Sequence, residues 1–346
     1  MKLLITGATG FLGRHVVATA LAQGHSVRIL IRPSARLDKT PWAKAVAVHR
    51  ADLRSPHDLQ PAFQDVDAVI HLAASVAGNE DTQFASTVVG TENLLSAMAL
   101  STVRRIVLAS SFSVYDWSAV GRDLDEESSV QAAPGLYERD VYTIAKVWQE
   151  RVARRFAEEH GFALLVLRPG FIWGPGGEAF AGLGVRIGSV QVVVGPASRL
   201  ALTYVENCAQ CFVLAAERVD IAHGTFNVVD AQRISSWRYA AEYARWTNKR
   251  GFRIPVPYGF ARTIVGAVGL ANRAFFGGKA KVPSLLATRR FQSRFKAVRV
   301  DGTRTHAGLG WAEPVDLAEG LRRTFRRDER TGGRSRLLAE AKPGHR

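Results

Sequence analysis

Leu3-Leu4-Ile5-Thr6-Gly7-Ala8-Thr9-Gly10-Phe11-Leu12-Gly13 reads as an apolar strand that passes through a glycine turn straight into a helix. Three glycines at this spacing strip side chains from the strand end where a helix N-terminus must approach a phosphate. Gly7 permits the tight turn, Gly10 allows close backbone approach, and Gly13 lets helix and strand pack closely. Backbone N–H groups and the positive end of the helix dipole then face the phosphates together with Thr9. Phe11, Leu12, Val16, Val17, Ala20 and Leu21 form the apolar side of that helix. A second apolar strand, Ser26–Ile31, follows, which is the context in which a glycine triplet signals a dinucleotide site.

Outward from this turn, strand patterns recur at Lys2–Thr6, Ser26–Ile31, 46–50, 68–72, Arg105–Ala109 and 163–167, with helical patterns between them, notably 87–100 and 141–159. Such alternation predicts an α/β fold: a Rossmann-type doubly wound parallel sheet with helices on both faces. After Pro169 the rhythm breaks, and Gly174-Pro175-Gly176-Gly177 punctuates the change. Short strands at 191–194 and 225–229 then mix with helices. The expected organisation is a dinucleotide-binding domain over 1–175, a smaller mixed α/β substrate-binding region over 176–326, and a basic, disordered tail over 327–346.

The 346 residues, 47% hydrophobic and 22% charged, have ordinary globular usage and can bury a sizeable core. Met1-Lys2 leads directly into the first strand without an apolar leader pattern, so a cytoplasmic protein is expected. The net charge of +15 is unevenly placed: residues 262–346 hold nineteen Lys or Arg against seven Asp or Glu. No recognition motif or interleaved aromatic platform accompanies that charge, which argues against a nucleic-acid partner. Segment 260–276 instead mixes Ile264, Val265, Val268, Leu270, Phe275 and Phe276 with Arg262 and Arg273. It suits a helix that caps a substrate cavity, the preferred reading, or one that lies on an anionic membrane surface. Its uncharged part, 263–272, is too short to span a bilayer. Cys208 and Cys211 lie on the apolar side of a helical pattern, Val205–Glu217, and read as small core residues rather than a redox pair or half of a zinc site. No metal site is expected.

A second constellation is Tyr142-Thr143-Ile144-Ala145-Lys146. Positions i and i+4 share one helix face, so phenol and ammonium can converge, and a neighbouring cation favours ionisation of a tyrosine. A third is Ser110-Ser111-Phe112-Ser113-Val114-Tyr115, which puts hydroxyls at the carboxyl end of the fifth strand, where ligands of such sheets bind.

Together the three pieces resemble the extended short-chain dehydrogenases/reductases, the group with the NAD(P)-dependent epimerases, dehydratases and hydroxysteroid dehydrogenases, over roughly residues 1–326. The resemblance implies catalytic roles for Ser111, Tyr142 and Lys146. Tyr142 would exchange a proton with the substrate oxygen as a hydride moves, Ser111 would hold that oxygen, and Lys146 would bind the nicotinamide ribose and lower the tyrosine pKa. It further implies that Gly7, Thr9, Gly10, Phe11, Leu12 and Gly13 form the nucleotide-binding fingerprint, that Asp52 and Leu53 meet the adenine, that Leu72, Ala73 and Ala74 line the cofactor, and that Pro169 and Gly170 close over the nicotinamide. A homodimer through the helix of Tyr142 is implied as well.

Two departures stand out. Thr87 occupies a position where the family often carries Asn, which puts in doubt any water relay or substrate contact that depends on that side chain. The second strand ends in Arg32 with no carboxylate to accept a ribose 2′-hydroxyl, so NADP is expected over NAD, with Arg36 as a second contact. Leu202-Thr203-Tyr204-Val205-Glu206-Asn207 and Leu309-Gly310-Trp311 are similar to stretches of 3β-hydroxysteroid and sterol dehydrogenases. An apolar lid over 260–295 suits a bulky apolar substrate, since burial stabilises by about 25 cal/mol per Å². The leading expectation is therefore an NADP-dependent oxidoreductase acting on a hydroxyl or ketone of a steroid-like or β-keto/β-hydroxy acyl molecule. The alternatives are a nucleotide-sugar epimerase, dehydratase or reductase, with Arg186 or Arg199 clamping the diphosphate, and a non-catalytic NADP-binding regulator.

Overall fold

A computed structural model describes residues 1–325 except 39, 76–77, 248–250, 278–279, 281–282 and 284–285. The basic tail expected over 327–346 lies outside the described residues. Seven strands, β1 (Lys2–Thr6), β2 (Ser26–Ile31), β3 (Ala47–Arg50), β4 (Ala68–His71), β5 (Arg105–Ala109), β6 (Ala163–Pro169) and β7 (His223–Val228), form one parallel sheet in the order β7-β6-β5-β4-β1-β2-β3. The outermost strand β7 comes from the chain beyond 176, so the sheet itself crosses the expected boundary at 175.

Period-two alternation explains why the sheet is covered on both faces. Leu3 and Ile5 enter one core with Val16, Val17 and Ala20 of helix α1 (Phe11–Ala22), while Leu4 enters the other with Leu94, Leu95 and Met98 of α2 (Gly90–Ala99). Helix α3 (Val141–His160) joins the second core through Ala153 and Phe156. Helix α4 (Val205–Glu217) joins the first, and its Cys208 and Cys211 are fully buried there, as core residues. The expected helix over 87–100 opens with a π-turn, Ala85–Val89, before the regular α2.

Strand order reverses between β1 and β4, each of which leads away in a different direction. The crevice at their carboxyl ends is where a ligand of such a sheet sits.

The later chain builds a three-stranded sheet from Val185–Ile187, Val190–Val194 and Phe252–Val256, in the order Phe252–Val256, Val190–Val194, Val185–Ile187. Helices α5 (Tyr258–Phe276) and α6 (Thr288–Phe295) pack on it through Val194, Ala261, Val265, Phe291 and Phe295. Here the preferred expectation for 260–276 is corrected. Only Ala261 and Val265 of α5 are buried, and none of its residues lines the cavity of about 730 Å³ beside Ser111 and Tyr142. The physical reason is order of layering: α6 and the following Lys296, Ala297 and Val298 reach the cavity wall, and α5 sits outside them. No helix among the described residues is long and apolar enough to cross a membrane.

Candidate active site

The glycine turn has the geometry its spacing predicts. Gly7 has φ +69°, a conformation that side-chain-bearing residues rarely adopt, and a Cβ there would stand 2.8 Å from the amide nitrogen of Ala73. Gly10 caps α1 in an extended conformation and donates its N–H to the Gly7 carbonyl at 3.0 Å. A Cβ on Gly13 would lie 2.1 Å from that same carbonyl oxygen, so only hydrogen fits between helix and turn.

Around this turn a cavity of about 280 Å³ gathers Gly7, Thr9, Gly10, Arg32, Asp52, Leu53, Leu72, Ala73 and Ala74. A cradle that backbone forms, and that any Cβ would fill, fits a pyrophosphate. Phe11, Leu12 and Gly13 do not line this cavity. Phe11 rests its ring against Gly177 and lines the neighbouring cavity, Leu12 packs against the sheet core, and Gly13 is buried. Arg36 is exposed and does not line this cavity. Arg54 does, and sequence reasoning missed it. Asp52 accepts the Arg54 backbone N–H at 3.0 Å and pairs with its guanidinium at 2.6 Å, which holds the carboxyl below the usual carboxylate range. An Asp two residues before an Arg in a turn was the available signal.

Helix α3 starts where Asp140 accepts the Thr143 N–H at 3.1 Å, which sets Tyr142 in the first turn and Lys146 one turn on. Ser111 lies two residues beyond β5 and caps the short turn Phe112–Val114 by accepting the Ser113 N–H. Its hydroxyl favours the ionised form of the neighbouring Tyr142 phenol, and both residues line a cavity of about 730 Å³. Pro169 and Gly170 line it too, with Phe112, Trp117, Phe171, Phe180, Leu200 and Phe295 making much of the wall apolar. Arg199 lies on its rim, whereas Arg186 does not reach it.

Lys146 lies beneath this surface, fully enclosed, and donates to the Ala109 carbonyl at 2.7 Å and to Gln149 Oε1 at 2.8 Å. Burial pushes its ammonium down to about 7, with Glu150 opposing. The expectation that Lys146 lowers the phenol pKa is not what this geometry gives. Burial pushes Tyr142 above its ordinary 10.0, and the group that opposes burial is Ser111, because the ammonium is turned toward Ala109 and Gln149.

Behind Lys146 stands a buried polar network that sequence reasoning did not find. Gln149 donates to Thr91 Oγ1 at 2.8 Å, and His71 lies between Thr6 Oγ1 at 2.6 Å and Thr91 Oγ1 at 2.8 Å. Burial and the nearby Lys146 push His71 down to about 3, so it is neutral. Thr87 accepts the Ser75 N–H at 3.1 Å, a concrete use for the residue that departs from the family pattern. Beside the network, Arg168 grips Glu150 at 2.9 and 2.7 Å while Ser110 donates to the same carboxylate. The guanidinium stacks over Tyr115 at 4.7 Å.

Phosphate turn and hydroxyl pair thus open at one edge of one sheet, so that a hydride carrier laid along that edge meets whatever fills the apolar cavity. This is the arrangement of an NAD(P)-dependent oxidoreductase. Residues 3–228 match the NAD dependent epimerase/dehydratase family, and the chain belongs to that family, within the extended short-chain dehydrogenases/reductases. It is 32% identical over 257 residues to the 3 beta-hydroxysteroid dehydrogenase/Delta 5→4-isomerase of Mycobacterium tuberculosis, covering 69% of this chain and 67% of that one. It is 26% identical over 266 residues to the human sterol-4-alpha-carboxylate 3-dehydrogenase, decarboxylating, covering 73% of this chain and 69% of that one. Among solved structures, UDP-glucose 4-epimerase of Thermus thermophilus in complex with NAD superposes with a TM-score of 0.67 at 22% identity, over 94% of this chain and 98% of that one, which is a likeness of fold.

Proposed function

We propose that this enzyme uses NADP to move a hydride to or from the carbinol or ketone carbon of a bulky, largely apolar molecule, steroid-like or a β-keto/β-hydroxy acyl compound. The observation that carries the reading is the cavity of about 730 Å³ whose aromatic and aliphatic wall ends on the Ser111 and Tyr142 hydroxyls. The dinucleotide supplies or accepts the hydride. Ser111 holds the substrate oxygen by a hydrogen bond, and Tyr142 passes a proton to it or takes one from it. Lys146 holds the nicotinamide ribose, for which its ammonium must turn from the Ala109 carbonyl. Residues 1–175 carry the dinucleotide, and 176–326 supply half of the residues that line the substrate cavity.

Preference for NADP is supported by Arg32 and Arg54 lining one cavity, and by Asp52, whose carboxylate is engaged by Arg54 and so less available to a ribose 2′-hydroxyl. The protein is further read as a cytoplasmic homodimer paired through α3, in peripheral contact with anionic membrane. The names of the curated relatives, which act on sterols and steroids, support an apolar substrate.

Dissociation constants for NADPH and NADH, followed by turnover with a panel of ketones beside a panel of nucleotide sugars, test the reading. NADPH binding at least about tenfold tighter, with reduction of apolar ketones, is the expected result. Equal or tighter NADH binding refutes the cofactor assignment, and turnover of nucleotide sugars alone refutes the substrate class.

A further inference from the structure

We infer that Gln149, on the buried side of α3, is a positioning residue for Lys146: it keeps hold of the ammonium as that ammonium exchanges the Ala109 carbonyl for the nicotinamide ribose, and it ties the lysine to the glycine turn. The inference rests on the ribose role proposed above for Lys146.

Lys146 and Gln149 stand three residues apart on one face of α3, and Gln149 is fully enclosed. A buried amide is costly unless both its ends are bonded, and donor bookkeeping leaves this one a single orientation. An ammonium only donates, so the Gln149 oxygen, 2.8 Å from Nζ, is the acceptor and Nε2 faces the network. Thr91 gives its hydroxyl proton to the Thr87 carbonyl at 2.6 Å, which leaves its Oγ1 to accept from Gln149 Nε2 and from His71 Nε2, each at 2.8 Å. Neutral His71 then accepts at Nδ1 from Thr6 at 2.6 Å, and Thr6 Oγ1 accepts the Ala73 N–H at 3.3 Å. Gln149 Nε2 closes the ring by donating to the Ala73 carbonyl at 3.3 Å. Thr6 is the residue before Gly7, and Ala73 lines the nucleotide cavity, so the ring joins the phosphate turn to the lysine.

The ring makes Gln149 the fixed partner of Lys146 and Ala109 the exchangeable one. The ammonium has three N–H bonds, of which Ala109 and Gln149 take two. Turning from Gln149 would strand its oxygen in the interior without a donor, because every other donor of the ring is already committed. Ala109 is instead the last residue of β5, next to Ser110 and Ser111 of the cavity wall, so its carbonyl stands where strand meets site. The titratable and charged groups around the ammonium are Glu150 of its own helix, gripped by Arg168 of β6, neutral His71 of β4, and Tyr142 one turn back. Among these Gln149 is the neutral acceptor. Its removal disfavours the charged lysine, and a carboxylate in its place favours it.

Fluorescence titration of NADPH from about pH 6 to about pH 9, with NADH in parallel because both carry the same nicotinamide ribose, tests the inference without a ketone. The protonated lysine holds the ribose, so wild-type affinity should fall as pH rises through the Lys146 value, which burial pushes down to about 7. Lys146→Met should abolish that fall. Gln149→Leu should move it to lower pH and Gln149→Glu to higher pH, each by at least about half a pH unit, whereas lost packing alone would weaken both variants without parting their profiles. Should Lys146→Met flatten the profile while both Gln149 variants keep the wild-type one or move it the same way, the positioning role is wrong and the ribose role survives. Should wild type show no fall, or Lys146→Met bind like wild type at every pH, the ribose role fails and the inference with it. Binding of neither dinucleotide would overturn the cofactor assignment and both roles. Where Gln149→Leu does not fold, as urea unfolding would show, the direction taken by Gln149→Glu decides alone.

Discussion

Replacing Gly13 by Ala tests the glycine turn at its tightest point. The added Cβ would stand 2.1 Å from the Gly7 carbonyl oxygen and 2.8 Å from Ala8 Cα, where ordinary contact begins at 3.4 Å, so helix and turn must part by about 1.3 Å. Neither neighbour is a flexible side chain; both are backbone of the turn. The oxygen that must move also accepts the Gly10 N–H, so the whole phosphate cradle shifts with it. Overpacking of this kind costs about 1–3 kcal/mol, and each charge-assisted hydrogen bond lost to a phosphate costs about 1.5–3 kcal/mol, or roughly tenfold to a hundredfold in affinity. Titration of NADPH by fluorescence should therefore show binding weakened at least about tenfold, with a melting temperature lower by a few degrees. Gly24→Ala is the control. Gly24 has φ +81° with no atom within 4 Å of a Cβ, so this substitution should lower stability by strain and leave NADPH affinity alone. If Gly13→Ala binds NADPH within about twofold of wild type, close helix approach is not what positions the pyrophosphate.

Other outcomes follow from the same geometry. Tyr142→Phe should lower turnover by about 10²–10⁴ with little change in the NADPH dissociation constant, measured by steady-state kinetics beside direct titration. Glu150→Ala leaves the buried Arg168 guanidinium without its carboxylate partner and should cost about 3–5 kcal/mol in urea unfolding, whereas Glu159→Ala, at an exposed pair with Arg155, should cost less than about 0.5. Burial pushes the Asp230 carboxyl from 3.8 up to about 7, so over that interval the folded protein keeps a proton that the unfolded chain has released. Stability should fall as pH rises from about 4 to about 7 and level off above, and Asp230→Asn should remove that decline in urea midpoints taken across the range.

What could be read beforehand was local. Leu3, Leu4 and Ile5 announce a strand buried on both faces, and the structure sends them to opposite cores as period two requires. Cys208 and Cys211, three apart on an apolar helix face, pack where that spacing puts them. Arg54 lay in plain view two residues from Asp52, but a pair in a turn acquires meaning only when β2 and β3 bring it beside Arg32. The network behind Lys146 was hidden for a stronger reason. Gln149, Thr91 and His71 meet across separations of 58 and 78 residues, and no periodicity within a helix encodes which polar atom waits on the next one.

The sequence by itself determined the parallel sheet, the nucleotide turn and the one-turn spacing of Tyr142 and Lys146, because each depends on backbone geometry over a few residues. Tertiary structure decided where the Lys146 ammonium points, which cations line the nucleotide cavity, and that α6 rather than α5 walls the substrate cavity. Those depend on which surfaces remain after the elements have packed. Segment 260–276 shows the difference: its amphipathic pattern promised an apolar face, and only the layering of α5 over α6 turned that face outward.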